Sequence, residues 1–251
     1  MRLVLSLFWI ACLMLTPSSV LAAELTRADV QSKLAATPAG QTASFVGSSL
    51  ARADLHDLDL SHADLSGVDL SGVDLRGSKL VGSKLVGAKL PGAKLNLAWI
   101  ISADFSQANL SDADLETLIV SNGMQTQPQE AARFVGANLS GAKVTARFNL
   151  YDMHGANLSH IQASADMRNQ SMGLIRTEFA QTNLTDANFK DAALAHVNFE
   201  FAKLARANFS GADLSYADFT GADLTDADLS GANTTGAIFT NAVLKGVKGY
   251  P

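Results

Sequence analysis

The 251-residue chain carries 19 Lys and Arg against 24 Asp and Glu, a net charge of −5, and 7% of its residues are aromatic. With so few aromatics the core is expected to consist of many small layers and not to form around large rings, and the negative balance argues against a protein that grips nucleic acid through its phosphates. Cys12 is the single cysteine, so no disulfide framework forms within the chain.

Residues 1–23 read as a secretory signal peptide. Arg2 supplies a basic start, Leu3 to Leu15 an apolar centre, and Pro17, Ser18 and Ser19 a break, with small residues at Ala22 and Ala23 that suit a signal peptidase. The apolar run falls short of the ~20 residues that span a bilayer, so no stable membrane insertion is expected after cleavage. Cleavage near Ala23 removes Arg2 and Cys12 and leaves 18 basic against 24 acidic residues. The expected address is export, to the periplasm or the medium, or to a thylakoid lumen in a photosynthetic bacterium.

Residues 24–40 have a different texture. Val30 and Leu34 sit four apart, Thr26 stands where it can cap with Asp29, and Pro38-Ala39-Gly40 stops the pattern. A short helix is expected here.

Residues 41–120 form a first repeat block. A large apolar residue recurs every five positions, at Phe45, Leu50, Leu55, Leu60, Leu65 and onward to Leu115, usually with a small residue two positions earlier. Residues two apart share a face of an extended segment, so Ala63 and Leu65 point inward and Asp64 outward. The remaining pair, typically Ser-Gly, forms a turn. A period of five fits neither a continuous helix nor a continuous strand, so the chain bends at every repeat.

The units ANLSG, GADLS, ANFSG and GADLT follow the pattern A(D/N)LXX, and the stretch from about Phe45 to Leu244 resembles the pentapeptide repeat family. The resemblance implies an all-β solenoid, a right-handed quadrilateral β-helix with one repeat per side and twenty residues per coil. Residues 24–40 then supply a short N-terminal capping helix, since a solenoid end exposes its core and needs a cover.

Twenty residues per coil makes the charges legible. Lys79, Lys84, Lys89 and Lys94 become a basic ring, with Asp59, Asp64, Asp69 and Asp74 on the coil before it. Trp99, Asp104, Asn109 and Asp114 follow on the coil after, so Lys84 and Lys94 each lie between two carboxylates. Such a ring could recruit an anion or a partner. Relief of repulsion between stacked Asp residues is the favoured reading, each exposed pair being worth ~0.2–1 kcal/mol.

The rhythm then fails. Residues 121–133 read as an inserted loop with Gly123 and Pro128, after which repeats resume at Phe134 and Leu139 four residues out of register. Loops on a rigid scaffold concentrate function, although a tolerated insertion is the equal alternative. Residues 134–176 are irregular repeats: Met153 and Leu158 make fair centres, Met167 and Met172 poor ones, and the phase slips repeatedly. Arg147, Phe148, Tyr151, His154, His160, Arg168 and Arg176 gather there, and this mixture of basic and aromatic residues is the candidate interaction surface. The plainer alternative is degenerate coils with solvated charges. His154 and His160 lack an evident third ligand, so no metal site is expected.

Residues 177–251 form a second repeat block. Asp213, Asp218, Asp223 and Asp228 make an acidic ring above Ala193, Asn198, Lys203 and Asn208, of which only Lys203 compensates. The block ends in LKGVKGYP, where Tyr250 closes the end or two molecules abut as an end-to-end homodimer.

No catalytic constellation, phosphate loop or metal-ligand cluster stands out, and no cofactor is expected. The expectation is a non-catalytic exported structural scaffold that binds another protein and no nucleic acid. The alternative is a DNA mimic of the kind some family members are, binding a type II topoisomerase and protecting it from quinolones. The apparent signal and the Lys ring argue against it.

Overall fold

The computed structural model describes residues 23–123, 125–165 and 176–250. Residues 1–22 of the expected signal, and Arg168, Met167 and Met172, lie outside the described residues.

Each five-residue unit folds for local reasons. Ala63 and Leu65 are buried on either side of the half-exposed Asp64. The Asp64 carboxylate accepts the Ser66 N–H at 3.0 Å, and the Val68 N–H closes the turn onto the Leu65 carbonyl at 3.1 Å. Gly67, the third turn residue, sits at φ +67°, where a side chain is disfavoured. The same carboxylate-to-backbone bond recurs at Asp69, Asp104, Asp213 and Asp218, and with Asn at Asn109 and Asn138. Asp and Asn therefore occupy the outward position because their short side chains fasten the next corner.

Coils stack by parallel bridges between residues twenty apart, Ser44 with Asp64, Ser49 with Asp69, Asp54 with Asp74 and Asp59 with Lys79. These four positions start the first, second, third and fourth faces of a solenoid. Each rung is one bridging residue: the Lys84 N–H donates to the Ala63 carbonyl at 2.9 Å, and the Leu65 N–H to the Lys84 carbonyl at 2.8 Å. Among the described residues, longer strands are β1 (Ala23–Glu24), β2 (Ser48–Ser49), β3 (Asp114–Glu116) and β4 (Lys143–Thr145), paired β1 with β2 and β3 with β4. The interior is a column of Leu that turns to Phe, which corrects the expectation of a core without large rings, because the few aromatics are concentrated at column positions: Phe179, Phe199, Phe219 and Phe239 stack at 5.4, 5.0 and 5.0 Å. Phe189 and Phe209 form a second stack at 4.8 Å, edge-on to the first.

Among the described residues one helix, α1 (Arg27–Ala36), covers the N-terminal end of the first coil. Thr26 and Asp29 form a reciprocal capping box, with the Thr26 N–H donating to the Asp29 carboxylate at 2.8 Å and the Asp29 N–H to the Thr26 hydroxyl at 3.3 Å. Val30 is fully buried, and the Lys33 ammonium sits 5.1 Å from the centre of the Phe45 ring. The strand β1 adds a rung beneath the first coil, where the Leu25 N–H donates to the Ser49 carbonyl at 2.9 Å. The repeat pattern, which starts at Phe45, carries no sign of that rung.

The interruptions resolve into three changes of spacing. Asp104 bridges Arg133 and Asn109 bridges Asn138, 29 residues apart, so the insertion lies between Ile119 and Arg133. Arg133 then bridges Asp152 at a spacing of 19, because the side from Lys143 to Arg147 is one residue short. Arg147 bridges Glu178 at 31, which places a second insertion between Gln162 and Glu178, and Glu178 to Asn198 restores 20. The expected repeated slipping is thus one short side and one long insertion.

The short side corrects part of the expected interaction surface. Phe148 and Tyr151 are buried core residues, not surface. Losing one residue after Lys143 moves Phe148 into the column position and Tyr151 into the slot that Ala usually fills two residues before the next column residue, Met153. Phe148 packs edge-on to Tyr151 at 5.4 Å and stacks on Phe179 at 5.5 Å. Two buried threonines stitch the passage: Thr177 donates to the Val144 carbonyl at 3.1 Å and Thr182 to the Phe148 carbonyl at 2.6 Å.

The rings fall in the expected register. Lys79, Lys84, Lys89 and Lys94 bridge Asp59, Asp64, Asp69 and Asp74 below and Trp99, Asp104, Asn109 and Asp114 above. Lys79 approaches Asp59 at 3.9 Å. Asp213, Asp218, Asp223 and Asp228 likewise lie over Ala193, Asn198, Lys203 and Asn208. The acidic ring has a second neighbouring cation that the expectation omitted, because Lys248 bridges Asp228 from the coil above.

Candidate functional site

The two insertions flank the same face. The first leaves the fourth face after Ile119, and the second returns to it at Glu178. Between them the backbone ladder of that face lapses. Below, the Ile119 N–H donates to the Ala98 carbonyl and the Ile100 N–H to the Ile119 carbonyl; above, the Glu178 N–H donates to Ala146 and the Phe148 N–H to Glu178. The equivalent bonds between Ile119 and Arg147 do not form, and among the described residues the Val120 N–H and the Leu118 carbonyl have no hydrogen-bond partner. The coils still touch at the neighbouring corner, where the Thr117 N–H donates to the Thr145 carbonyl at 3.0 Å. Beyond that bond they part.

A cleft of about 1000 Å³ opens at the lapse, within the size range of ligand sites. Its floor is apolar, with Leu118, Val120 and Ala146 nearly buried. Gln125, Thr126, Gln127 and Pro128 of the first insertion form one wall. That wall is braced by Glu130, whose carboxylate accepts the Gln127 N–H at 3.1 Å and the Asn122 amide at 2.8 Å; these bonds hold it below the ordinary carboxylate range. The opposite side carries Arg147, Arg176 and Glu178. Arg147 approaches Glu178 at 3.7 Å, while Asn149 donates to the other Glu178 oxygen at 2.9 Å. Arg176 is half-buried and makes no ion pair among the described residues.

Of the residues expected at an interaction surface, Arg147 and Arg176 do meet in this cleft. His154 lies at the corner after Asp152, its ring nitrogen 3.0 Å from that carboxylate, and His160 lies at the next corner; neither lines the cleft. Residues that patterning missed are Ile119, Val120 and Leu150 inside the cleft and Phe201 and Tyr216 outside it. Leu150, Phe201 and Tyr216 hold corner positions at φ +70°, +55° and +56°, a left-handed conformation uncommon for bulky side chains. Phe201 remains 60% exposed with its ring over Gly221, and Tyr216 stacks on His196 at 4.9 Å with its ring over Gly236. The signal was available in the sequence, as large rings where Gly or Ser is usual.

Buried beneath the first insertion, the Tyr151 hydroxyl has no hydrogen-bond partner. Burial pushes its pKa well above the tyrosine range, the Glu130 charge adds to that, and the nearby Ala132 N–H opposes it without closing a bond. No group of three or more His, Cys, Asp or Glu among the described residues is placed to hold a metal ion. No described helix is long and apolar enough to cross a membrane.

The stacked five-residue sides match a family model described as pentapeptide repeats, in 8 copies over residues 43–72, 59–96, 78–116, 174–200, 192–231 and 222–248. The chain belongs to the pentapeptide repeat family. The family model leaves residues 117–173 unmatched, and the lapse and the first insertion fall within that gap. Among solved pentapeptide repeat structures, the chain is similar to HetL, involved in heterocyst differentiation regulation in the cyanobacterium Nostoc sp. strain PCC 7120. That match has 29% identity over 89% of this chain and 97% of that one, with a TM-score of 0.41. Full-length QnrB1, a plasmid-mediated fluoroquinolone resistance protein, matches at 19% identity over 83% of this chain and 92% of its own, with a TM-score of 0.23. A pentapeptide repeat protein of the Arabidopsis thaliana thylakoid lumen matches at 27% identity over 44% of this chain and 65% of its own, with a TM-score of 0.19. No curated protein matches the chain.

Proposed function

We propose that this pentapeptide repeat protein is a non-catalytic, exported scaffold that binds another protein at its fourth face. The convergence of both insertions on the lapse in that face's ladder carries the reading, because binding loops concentrate where a rigid frame can present them. Outward carboxylates recur as corner fasteners, so their proximity does not argue for acid–base chemistry. The right-handed turn of the coil is carried over from the family as part of this proposal.

Capture of the partner from an exported fraction tests it. The intact protein should retain the partner, and a variant with both insertions replaced by two-residue corners should lose it. Undiminished capture by that variant would reject the insertions as the binding elements. Export is tested separately, by fractionation and by sequencing the mature N-terminus, expected near Glu24; a cytoplasmic protein that begins at Met1 would refute it.

Binding to a type II topoisomerase as a DNA mimic ranks second. The first face alternates in sign, running Asp64, Lys84, Asp104, Arg133 and Asp152, which breaks the continuous negative stripe that mimicry requires. Absence of any effect on gyrase supercoiling by protein lacking residues 1–23 would end that reading. We further propose an end-to-end homodimer through the last coil, where Phe239, Leu244 and Val247 are only partly buried and Tyr250 packs edge-on to Phe239 at 5.2 Å. Light scattering should give a dimer that Phe239→Asp converts to monomer.

A further inference from the structure

We infer that the cleft on the fourth face takes an extended peptide segment of the partner, which pairs with the open backbone of Leu118 to Val120 and sets a carboxylate against Arg176. The inference rests on the reading of this chain as a binding scaffold and specifies the form of what it binds.

Three observations point the same way. The first is the lapse itself. At every neighbouring rung of the fourth face the inward residue's N–H and the carbonyl before the bridge are paired, but among the described residues the Val120 N–H and the Leu118 carbonyl have no partner and border the cleft. Open backbone groups cost free energy when they are desolvated without a partner, and an added strand meets that need with its own N–H and carbonyl groups. A helix has none to spare, because its backbone groups are bonded within the helix. This selects an extended segment.

The second observation is the floor. Leu118, Val120 and Ala146 are apolar and nearly buried, so one face of the incoming strand should be apolar. Alternation along a strand then puts every second side chain toward the cleft mouth. The third is charge. Glu178 is already engaged by Arg147 and Asn149, whereas Arg176 makes no ion pair among the described residues. Among the described residues that line the cleft, Arg147 and Arg176 face the single carboxylate of Glu178, and Glu130 is turned to Asn122 and Gln127 within the wall, so Arg176 keeps an unmatched positive charge. An outward-facing carboxylate on the added strand complements it, and a cationic residue there meets repulsion.

Two synthetic probes test this, a capped heptapeptide alternating Glu and Val and its counterpart alternating Lys and Val, titrated into isotope-labelled protein. The Glu peptide should shift the Val120 amide resonance and slow its hydrogen exchange at least tenfold, and should bind at least tenfold more tightly than the Lys peptide. Arg176→Glu should reverse that preference while leaving the melting temperature unchanged. Methylating alternate backbone nitrogens of the Glu peptide, on the edge that would face the cleft, should abolish binding without touching the protein. Binding that leaves Val120 unprotected, survives methylation, or ignores Arg176→Glu would overturn the inference, and so would a preference for the Lys peptide or no binding by either. A scaffold that engages its partner through the outer surfaces of the insertions instead of the cleft would fail here and still lose capture on removal of the insertions, so the two proposals fail separately.

Discussion

Phe199→Ala offers the sharpest test of how the solenoid is held together. Phe199 is fully buried, stacked on Phe179 at 5.4 Å and Phe219 at 5.0 Å, and edge-on to Phe189 and Phe209 at 5.8 Å each. Truncating a buried Phe to Ala costs about 3–5 kcal/mol through lost transfer energy and the cavity left behind. Phe199→Leu keeps most of the apolar volume and loses the ring pairs, worth about 0.5–1.5 kcal/mol each and not additive, so about 1–2 kcal/mol is expected. For a chain of this size the Ala variant should melt roughly 6–20 °C lower, at about 2–4 °C per kcal/mol. The loss should also be local, because each coil contacts only its neighbours and stability is close to a sum of coil and interface terms. Hydrogen exchange should therefore quicken at the amides of Phe179 and Leu204 and remain unchanged at Leu65. Equal losses for the Ala and Leu variants, or faster exchange at Leu65, would refute the argument.

Three other outcomes follow from the same contacts. Hydrogen bonds from Ser66 and Ser71 hold Asp64 and Asp69 below the ordinary 3.8, so their contribution is present above that value and lost as pH falls through the folded values. The melting temperature should accordingly fall below about pH 4 and stay level between about pH 5 and 8 as far as these groups are concerned, as calorimetry across that range would show. Asn157 donates to Asn138 at 2.9 Å and accepts from Asn188 at 3.0 Å and from the Ser159 N–H at 3.2 Å, in a ladder that runs from Asn109 to Asn208 along the second face. Asn157→Leu should cost ~1–3 kcal/mol in urea denaturation, and Asn157→Asp, which keeps the acceptor, should cost less. Tyr151→Phe deletes a buried hydroxyl without a partner and should stabilise the fold by ~1 kcal/mol; a loss of stability would show that the hydroxyl is paired in solution.

What the sequence reveals depends on how local the cause is. The column, the corners and the register of the Lys ring are set within five residues or by a repeat of twenty, so they can be counted off directly. Phe148 and Tyr151 could not be placed that way. A single missing residue between Lys143 and Arg147 is hidden inside a stretch where the pattern has already blurred, yet it turns two apparent surface aromatics into core. The cleft is less legible still. It arises because one insertion leaves the face that the other rejoins, and that coincidence appears only once the short side is accounted for. The β1 rung and the capping box show the same contrast, since the cap is a four-residue motif while the rung pairs residues 25 apart.

The ring of four lysines has a consequence for how such a chain can change length. Duplicating or deleting twenty residues adds or removes one storey and leaves every column as it was. A change of five residues rotates all that follows by a quarter turn: Lys84, for instance, would sit over Asp59 or Asp69 instead of Asp64, and the ring survives because all four sides of that storey carry an outward Asp. Between the two insertions, from Arg133 to Gln162, the same quarter turn would carry the rejoining insertion to a different face from the one the first insertion left. The early coils can therefore tolerate growth in units of one repeat, whereas the part that bears the cleft can be lengthened only by whole storeys.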